Sequence, residues 1–158
     1  MEKFNPYRPG SIAHAGTFNN NVLSMAAGLK GLRDIYTSQA AIALNASGDQ
    51  LRNRLNGVAR KQDVELHFTG IGSMLNVHFQ AGPITRAEMT WKTGEDAKRM
   101  EQIKKLFHLD MLAAGIYLAR RGFISLSLPM TPAEHDSFVA AVEEFVTVRR
   151  PLLEGAMP

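Results

Sequence analysis

One stretch organises the chain, residues 14–29, which reads HAGTFNNNVLSMAAGL. Gly16 permits backbone conformations that are closed to other residues, and Thr17 adds a hydroxyl group. Three asparagines follow at positions 19–21, where an apolar helical pattern begins, and asparagine is a preferred helix-capping residue. The stretch predicts a turn and a capped helix whose first N–H groups can bind an anion such as phosphate. The residues alone leave open an ordinary capped core helix that binds nothing.

The helix predicted for residues 20–35 is apolar on more than one side, which predicts that it is buried. Gly28 and Gly31 lie inside it, and each lowers helix stability by about 1 kcal/mol relative to alanine. We therefore expect these glycines to allow another backbone to pack closely against the helix. Residues 1–13 contain two prolines and a glycine and predict an extended arm.

Composition narrows the class of protein. The chain has 158 residues, of which 45% are hydrophobic, so it predicts a single domain with one core. Its 18 basic and 15 acidic residues give a net charge of +3 without a basic tract, which argues against a nucleic-acid partner. It has no cysteine, so disulfides and thiolate metal sites are excluded. No apolar run approaches the roughly twenty residues of a membrane span, and the N-terminus lacks a signal core, so we expect no membrane partner and a cytoplasmic protein.

A second helix is predicted for residues 38–60, with Gly48 and Leu51 on its inward face. Alternating apolar and polar residues at 65–69 and 74–79, separated by the short run 70–73, then predict an antiparallel hairpin. The alternation places five residues on the core face, which are Leu66, Phe68, Leu75, Val77 and Phe79.

Two histidines, His67 and His78, fall on the opposite face of this hairpin. A metal site needs a third ligand, and the sequence places none beside them, so surface or interface histidines are the preferred interpretation and we expect no metal. The turn Gly70-Ile71-Gly72-Ser73 is similar to part of a dinucleotide-binding fingerprint, but it lacks the third glycine and the following helix.

The remainder predicts two more helices and two short strands. Thr93 is expected to cap a helix that runs through Ala114. Strands are expected at 115–118 and 123–128, around a basic turn at Arg120 and Arg121. These arginines are able to bind a phosphate or carboxylate, although adjacent turn arginines are more often solvated. A capping box at 131–134 begins the last helix, which should end before Pro151.

These elements predict an α+β fold: a small, mostly antiparallel sheet of three or four strands covered on one face by helices. A ferredoxin-like split βαβ module would give a similar string of elements and carries no function of its own. Within the single domain 1–158 we distinguish an arm (1–13), the phosphate-type turn with its buried helix (14–36) and the α+β part (37–158).

The segment beginning at Gly16 also resembles a known family. Class III, fold-type I pyridoxal-phosphate aminotransferases carry a similar run near the start of their C-terminal part, and the closest likeness is to glutamate-1-semialdehyde 2,1-aminomutase. The usual form of that run is Gly-Thr-Phe-(Ser)-Gly-Asn-Pro-Leu-Ala-Met-Ala-Ala-Gly. Here Asn20 stands for the glycine and Val22 for the proline. The likeness continues through 70–74, 115–118 and 123–127.

The resemblance implies pyridoxal phosphate as the cofactor of an intact parent enzyme, with Gly16 and Thr17 binding the phosphate of the cofactor held in a neighbouring subunit. In the family, the lysine that forms the aldimine lies upstream, on a large domain. None of the seven lysines here, at positions 3, 30, 61, 92, 98, 104 and 105, has a similar context. The chain is thus expected to be a fragment of an aminomutase or aminotransferase, without catalytic residues of its own and inactive alone.

The expected partners are the large domain of the parent enzyme or a second copy of this chain, so we expect a homo-oligomer. Two other functions remain open. The chain is alternatively a non-enzymatic α+β interaction or oligomerisation module that pairs through the apolar helix. As a third reading, it is a small-ligand enzyme that uses an anion site at Thr17.

Overall fold

The computed structural model describes residues 2–13, 16 and 21–154. Within these residues there are four α-helices, three strands and three short helical turns. The helices are α1 (Val22–Lys30), α2 (Ser38–Gln62), α3 (Gly94–Ala113) and α4 (Pro132–Leu153). The strands are β1 (His67–Ile71), β2 (Met74–His78) and β3 (Phe123–Ser125). The turns are 3₁₀ at Glu2–Phe4 and Ala87–Thr90 and π-helical at Gly31–Ile35, directly after α1. None of these helices is long and apolar enough to cross a membrane.

The chain divides into two compact units, Met1–Ala41 and Ile42–Pro158. The division lies inside α2, one helical turn after its start. The sequence predicted one domain with a subdivision between residues 36 and 37, so the structure places its division five residues later.

The first unit contains the N-terminal segment and α1. The segment at 2–13 is not simply extended, because Glu2–Phe4 forms a 3₁₀ turn and the Ile12 N–H donates to the Lys3 carbonyl at 2.8 Å. The predicted α1 is present, but no residue in it is buried. The prediction of a buried helix is therefore wrong for this chain, since nothing among the described residues encloses its apolar side chains.

The second unit is an α+β fold, as the sequence predicted. Its sheet is antiparallel with the order β1-β2-β3, and β1 and β2 form the expected hairpin, in which Ile71 pairs with Met74 around a two-residue turn. The five predicted core residues Leu66, Phe68, Leu75, Val77 and Phe79 are all buried. They join buried side chains of α2, α3 and α4 in one core.

Three phenylalanines from different elements meet in that core. The Phe107 ring on α3 lies 5.6 Å from the Phe79 ring and 4.9 Å from the Phe145 ring of α4, measured between centroids. Both contacts are edge-to-face, the geometry that aromatic quadrupoles prefer. The cluster fixes α3 and α4 against the end of the hairpin.

A side chain of α2 closes the outer edge of β1. Asn56 is 8% exposed, and its amide donates to the Phe68 carbonyl at 2.9 Å while its Oδ1 accepts from the Phe68 N–H at 2.8 Å. Arg52, one turn earlier, donates to the Gly70 carbonyl of the same edge. α2 therefore supplies the hydrogen bonds that a further strand would otherwise make.

Close contact between α2 and the hairpin depends on glycine. A Cβ added at Gly48 would lie 2.1 Å from the Gly72 carbonyl oxygen, closer than any side chain can approach. Gly72 itself has a φ of +55°, which glycine adopts without strain. The predicted inward position of Gly48 is confirmed, and the reason for glycine there is the passage of the hairpin backbone.

The helix predicted to start at Thr93 is present with Thr93 as its N-cap, although the Thr93 side chain makes no capping hydrogen bond. One prediction after α3 is wrong. Residues 115–118 form no strand, because Gly115, with a φ of +79°, closes the helix instead. The N–H groups of Gly115 and Ile116 donate to the carbonyls of Leu112 and Met111, the pattern of a Schellman motif.

The last helix begins as predicted and ends later. Its capping box is formed by Thr131 and Glu134. It then continues through Pro151 to Leu153, which corrects the predicted end before the proline. A proline in a final turn removes only one helix hydrogen bond. That turn is also held from outside, because Leu153 is buried and its carbonyl accepts from the Glu65 N–H at 2.9 Å.

The register of the hairpin predicts that substitutions at two neighbouring residues, Phe68 and His67, lower the stability of the fold by very different amounts. Phe68 is 1% exposed, so we expect Phe68→Ala to lower the free energy of unfolding by about 3 kcal/mol or more. His67 is only partly buried on the other face, and His67→Ala should cost less than about 1 kcal/mol. Urea unfolding of both variants measures the difference. Equal losses would contradict the register.

The edge contact of Asn56 gives a second test. Asn56→Ala leaves the buried N–H and carbonyl of Phe68 without partners, each costing about 1–3 kcal/mol, so we expect a loss of about 3 kcal/mol or more. Asn53→Ala on the exposed side of the same helix is the matched control and should change stability by less than about 0.5 kcal/mol. If the two variants unfold at the same urea concentration, the edge contact does not stabilise the fold.

Candidate functional site

The N-terminal end of α1 has the geometry of an anion-binding helix start. Asn21 is its N-cap in an extended conformation (φ −69°, ψ 122°), and the Asn21 Oδ1 accepts from the Ser24 N–H at 3.1 Å. This confirms capping by the asparagine run. The first turn contains no acidic residue. The remaining first-turn N–H groups and the positive end of the helix dipole therefore face no competing carboxylate of their own turn.

The two residues predicted to bind the cofactor phosphate precede this helix. Gly16 is described and exposed, whereas Thr17 lies outside the described residues, as do His14, Asn19 and Asn20. The role of Gly16 and Thr17 thus stays a prediction. What the structure adds is the capped helix that follows them.

A cleft of about 670 Å³ opens in the second unit. It lies between the irregular segment after α3, strand β3 and the first turns of α4. Its lining includes residues 114–119 and 123–126, together with Met130, Ala133 and Phe138. Volumes of this size are typical of small-molecule sites, and the apolar lining suits an apolar or aromatic group.

Hydrogen bonds fix the irregular wall of this cleft. The Leu118 carbonyl is 3.0 Å from the His108 Nδ1 of α3, and the Ala119 N–H donates to the Phe123 carbonyl at 3.3 Å. Polar groups are gathered at the α4 side, where His135 and Ser137 line the cleft. The His135 Nδ1 lies 3.5 Å from the Ser47 Oγ. Glu134, also in the lining, is held in the capping box, and hydrogen bonds from Thr131 keep the pKa of its carboxyl below the usual range.

The outer edge of strand β3 lies beside this cleft at Ser125. The Val77 N–H donates to the Gly122 carbonyl and the Leu126 N–H donates to the Ser73 carbonyl, so the even-numbered residues of this segment face β2. In an antiparallel ladder the alternate residues then point away. The Ser125 N–H and carbonyl accordingly lie on the open edge, on the side of the cleft.

The sequence predicted strands at 115–118 and 123–128 and showed family likeness at 115–118 and 123–127, but it assigned no site to these segments. The structure brings them together as neighbouring walls of the cleft. His135 and Ser137 were missed, because single polar residues at the start of an amphipathic helix carry no sequence signal of their own. The family likeness at the two wall segments is the one sequence signal in this region, and no site was inferred from it.

The two arginines of the basic turn have different surroundings. The Arg120 Nη2 lies 2.7 Å from the Glu101 Oε1 of α3, so this guanidinium is paired. Arg121 is exposed and has no ion-pair partner in the part of the chain that the structure describes. The turn is therefore a surface feature with one free guanidinium.

The paired histidines lie opposite each other on β1 and β2. The His78 Nε2 is 2.8 Å from the Thr69 Oγ1, and burial lowers the pKa of His78 to about 4, reinforced by the positive charge of Lys104 and by His67. Burial and the charge of Arg60 also lower the pKa of His67. Across residues 2–13, 16 and 21–154, no three histidine, aspartate or glutamate side chains come together as a metal site requires.

His78 makes stability depend on pH. In the unfolded chain histidine titrates near pH 6.5, whereas folded His78 stays neutral down to about pH 4. As the pH falls through this window the unfolded state takes up a proton first, so stability present above pH 6.5 is lost towards pH 4. We expect the urea midpoint to fall between about pH 7.5 and pH 5, and to fall less in His78→Gln. Identical pH dependence in both proteins would contradict this.

Comparison with known proteins shows which proteins this chain is similar to. No family model matches it. A β-phenylalanine transaminase of Variovorax paradoxus is 41% identical over 157 residues, covering 99% of this chain and 34% of that protein. A solved β-phenylalanine aminotransferase structure from the same organism has a TM-score of 0.84 at 41% identity, covering 98% of this chain and 34% of that one.

Two further relatives extend the comparison. A glutamate-1-semialdehyde 2,1-aminomutase of Flavobacterium psychrophilum is 32% identical over 138 residues, covering 85% of this chain and 31% of that protein. The FumI protein of Sphingopyxis sp. MTA144, solved in its pyridoxal-phosphate internal aldimine form, has a TM-score of 0.65 at 25% identity, covering 88% of this chain and 30% of that one. The chain spans about a third of the length of the relatives it matches.

The fold of the second unit, following a capped helix with the family-like sequence, is that of pyridoxal-phosphate aminotransferases. Within that class, the chain corresponds to a C-terminal portion of the class III enzymes, which include both transaminases and glutamate-1-semialdehyde aminomutases. The family resemblance seen in the sequence is confirmed, and pyridoxal phosphate is the cofactor of these homologues.

Proposed function

We propose that this chain supplies the C-terminal part of a pyridoxal-phosphate-dependent transaminase and contributes Gly16, Thr17 and the start of α1 to binding of the cofactor phosphate. The observation that carries the proposal is the Asn21-capped helix, which starts where the family-like segment leads into it. N–H groups at a helix start, beside a hydroxyl, bind phosphate in many folds. The residues present therefore fit the phosphate end of the cofactor.

The relatives favour a transaminase over an aminomutase. Identity is 41% to the β-phenylalanine transaminase and 32% to the aminomutase. The apolar cleft beside β3 supports an aromatic substrate class, because its walls would accept a phenyl ring. We infer that the complete enzyme transfers the amino group of an aromatic β-amino acid to an oxo acid.

By itself, the chain is expected to lack the lysine that holds pyridoxal phosphate covalently in a transaminase. Bound pyridoxal phosphate serves as the electron sink in transamination, and a protein lysine holds it covalently. Such a lysine needs a lowered pKa, which burial provides. Six of the seven lysines here are exposed, and the seventh, Lys104, is only partly buried. We therefore expect the chain to bind the cofactor weakly, without a specific covalent link, and to show no transaminase turnover by itself.

The phosphate contacts are expected to act across subunits. The family resemblance implies that Gly16 and Thr17 reach the cofactor of a neighbouring subunit. Helix N–H groups and one hydroxyl contribute about 1–3 kcal/mol to binding an anion, which is too little for tight binding of a small ligand. Weak binding that depends on the phosphate group is thus the behaviour expected of the chain alone.

The test titrates the protein with pyridoxal phosphate and follows backbone amide resonances. We expect those of Ser24 and its neighbours in the first turn of α1 to shift, less with pyridoxal, which has no phosphate, and less in Thr17→Val. Thr90→Val, distant in sequence from the helix start, is the matched control and should leave the shifts unchanged. Equal shifts with pyridoxal and pyridoxal phosphate would exclude the phosphate site.

Borohydride trapping tests the catalytic half of the proposal. After reduction in the presence of pyridoxal phosphate, we expect scattered, substoichiometric labelling of several lysines, such as the exposed Lys98 and the partly buried Lys104. A single stoichiometric adduct at one lysine, together with transaminase turnover, would show that the chain is a complete enzyme.

A non-catalytic interaction module is the second candidate function. The observation that favours it is the exposed apolar face of α1, which has no use in a protein that works alone.

A further inference from the structure

The segment that joins β2 to α3 passes directly over a histidine of the hairpin. This segment, residues 80–93, is called the connecting segment below, and most of its residues are exposed. A Cβ added at Gly82 would lie 2.5 Å from the His67 Cε1 and closer still to the His67 Nδ1. Glycine at position 82 therefore allows the backbone of the connecting segment to lie against an imidazole ring.

A second histidine, His78, lies two residues before the connecting segment begins. It stands directly opposite His67 in the hairpin, and cross-strand neighbours of this kind have Cβ atoms about 5 Å apart. The His78 Nε2 lies 2.8 Å from the Thr69 Oγ1, which holds this ring on the same face of the sheet as His67. The connecting segment thus leaves the sheet next to one histidine and is seated on the other.

Both rings have surroundings that oppose a positive charge. Burial is the largest cause that lowers the pKa of each histidine, followed by the charge of Arg60 for His67 and of Lys104 for His78. No carboxylate among the described residues stabilises either imidazolium. The charged side chains of the connecting segment are all exposed, and they are Arg86, Glu88 and Lys92. A proton on one ring would also repel a proton on the other.

The contact with Gly82 tolerates only the neutral form of His67. A neutral imidazole can leave one nitrogen without a proton, and here Nδ1 faces an α-hydrogen of Gly82, which accepts no hydrogen bond. An imidazolium carries a proton on both nitrogens. Its Nδ1–H would be covered without an acceptor, and a covered donor that lacks a partner is unfavourable. Protonation of His67 therefore favours a conformation in which the connecting segment has moved off the ring.

The connecting segment is able to move without opening the core. Its side-chain hydrogen bonds are internal, because the Gln80 Nε2 donates to the Met89 carbonyl at 3.1 Å and the Thr90 Oγ1 donates to the Ala87 carbonyl at 2.7 Å. None of its residues is buried, whereas Phe79, directly before it, belongs to the core. Regions with few buried contacts open locally at a much lower cost than global unfolding.

We propose that His67 and His78 form a pH-sensitive latch for the connecting segment. When both rings are uncharged, the segment is seated on His67 at Gly82. A proton on either ring releases the segment, while the hairpin and the helices stay folded. The latch goes beyond the proposed cofactor role, because it needs no ligand and uses none of the residues around Gly16.

The direction of the effect follows from where the rings titrate. With the segment released, histidine regains an ordinary pKa near 6.5, whereas burial holds the pKa of His78 at about 4 in the folded chain. The released form therefore takes up a proton first as the pH falls. Seating is complete above about pH 6.5 and is lost as the pH falls from there towards 4.

Fluorescence of Trp91 tests the latch, because it is the one tryptophan of the chain and lies in the connecting segment. Between about pH 7.5 and pH 5, we expect the fast component of its anisotropy decay to grow roughly twofold or more, with constant far-ultraviolet circular dichroism. The nuclear Overhauser effect between a Gly82 α-proton and the His67 Hε1 should weaken in parallel. A constant anisotropy decay, or a loss of circular dichroism together with the change in anisotropy, would overturn the proposal.

Substitution of the histidines identifies the titrating groups. His67→Gln and His78→Gln should each reduce the response of Trp91 to acid, and the double variant should abolish it. His108→Gln is the matched control and should keep the full response, because the His108 Nδ1 lies at the Leu118 carbonyl and not at the connecting segment. A response that survives in the double variant would overturn the proposal.

A change at Lys104 should act in the opposite direction. Lys104→Gln removes a positive charge that opposes protonation of His78, so the midpoint of release should move to higher pH by roughly 0.3 units or more. Lys105→Gln, at the exposed neighbouring position on α3, is the matched control and should leave the midpoint unchanged. A midpoint that is constant or moves to lower pH in Lys104→Gln would overturn the proposal.

Discussion

The second unit depends on the pair of hydrogen bonds between Asn56 and the backbone of Phe68. A three-stranded sheet has two free edges, and each free edge exposes backbone groups that need partners. Asn56 satisfies both backbone groups of Phe68, whose side chain is in the core. One polar residue on a helix thereby joins the helix layer to the sheet at its edge. The buried amide is tolerated because both of its polar atoms are bonded.

The sequence predicted correctly those parts of the second unit that depend on residues close together in the chain. The period-two alternation at 65–79 gave the hairpin and its core face, because any register slip would expose Phe68 and Leu75. The run from Thr131 to Glu134 gave the start of α4, because both halves of a capping box lie within four residues. Where the structure differs, a longer-range or competing contact decides. Gly115 closes α3 in place of a strand, and the buried Leu153 keeps α4 helical past Pro151.

The candidate sites also differ in whether they are formed by residues that are close together or far apart in the chain. The capped start of α1 was visible in the sequence, because a cap and its helix are adjacent in the chain. The cleft was not, because its walls come from segments that are far apart in sequence, such as Leu51, Ile116 and Ser137. Burial of α1 could not be judged from its pattern either. An apolar helix has the same sequence whether its partner lies in its own chain or outside it.

The two edges of the sheet differ in whether other residues cover them, which decides where a further strand could pair. The edge of β1 is occupied by Asn56 and Arg52, so no strand can be added there without removing α2. The edge of β3 is open at Ser125, beside the cleft. Among the described residues, the Ser125 backbone groups are therefore the ones on the β3 edge that a further strand could reach, because the Phe123 carbonyl of that edge already accepts from the Ala119 N–H. The sheet thus has one edge that α2 covers and one edge that is accessible at Ser125.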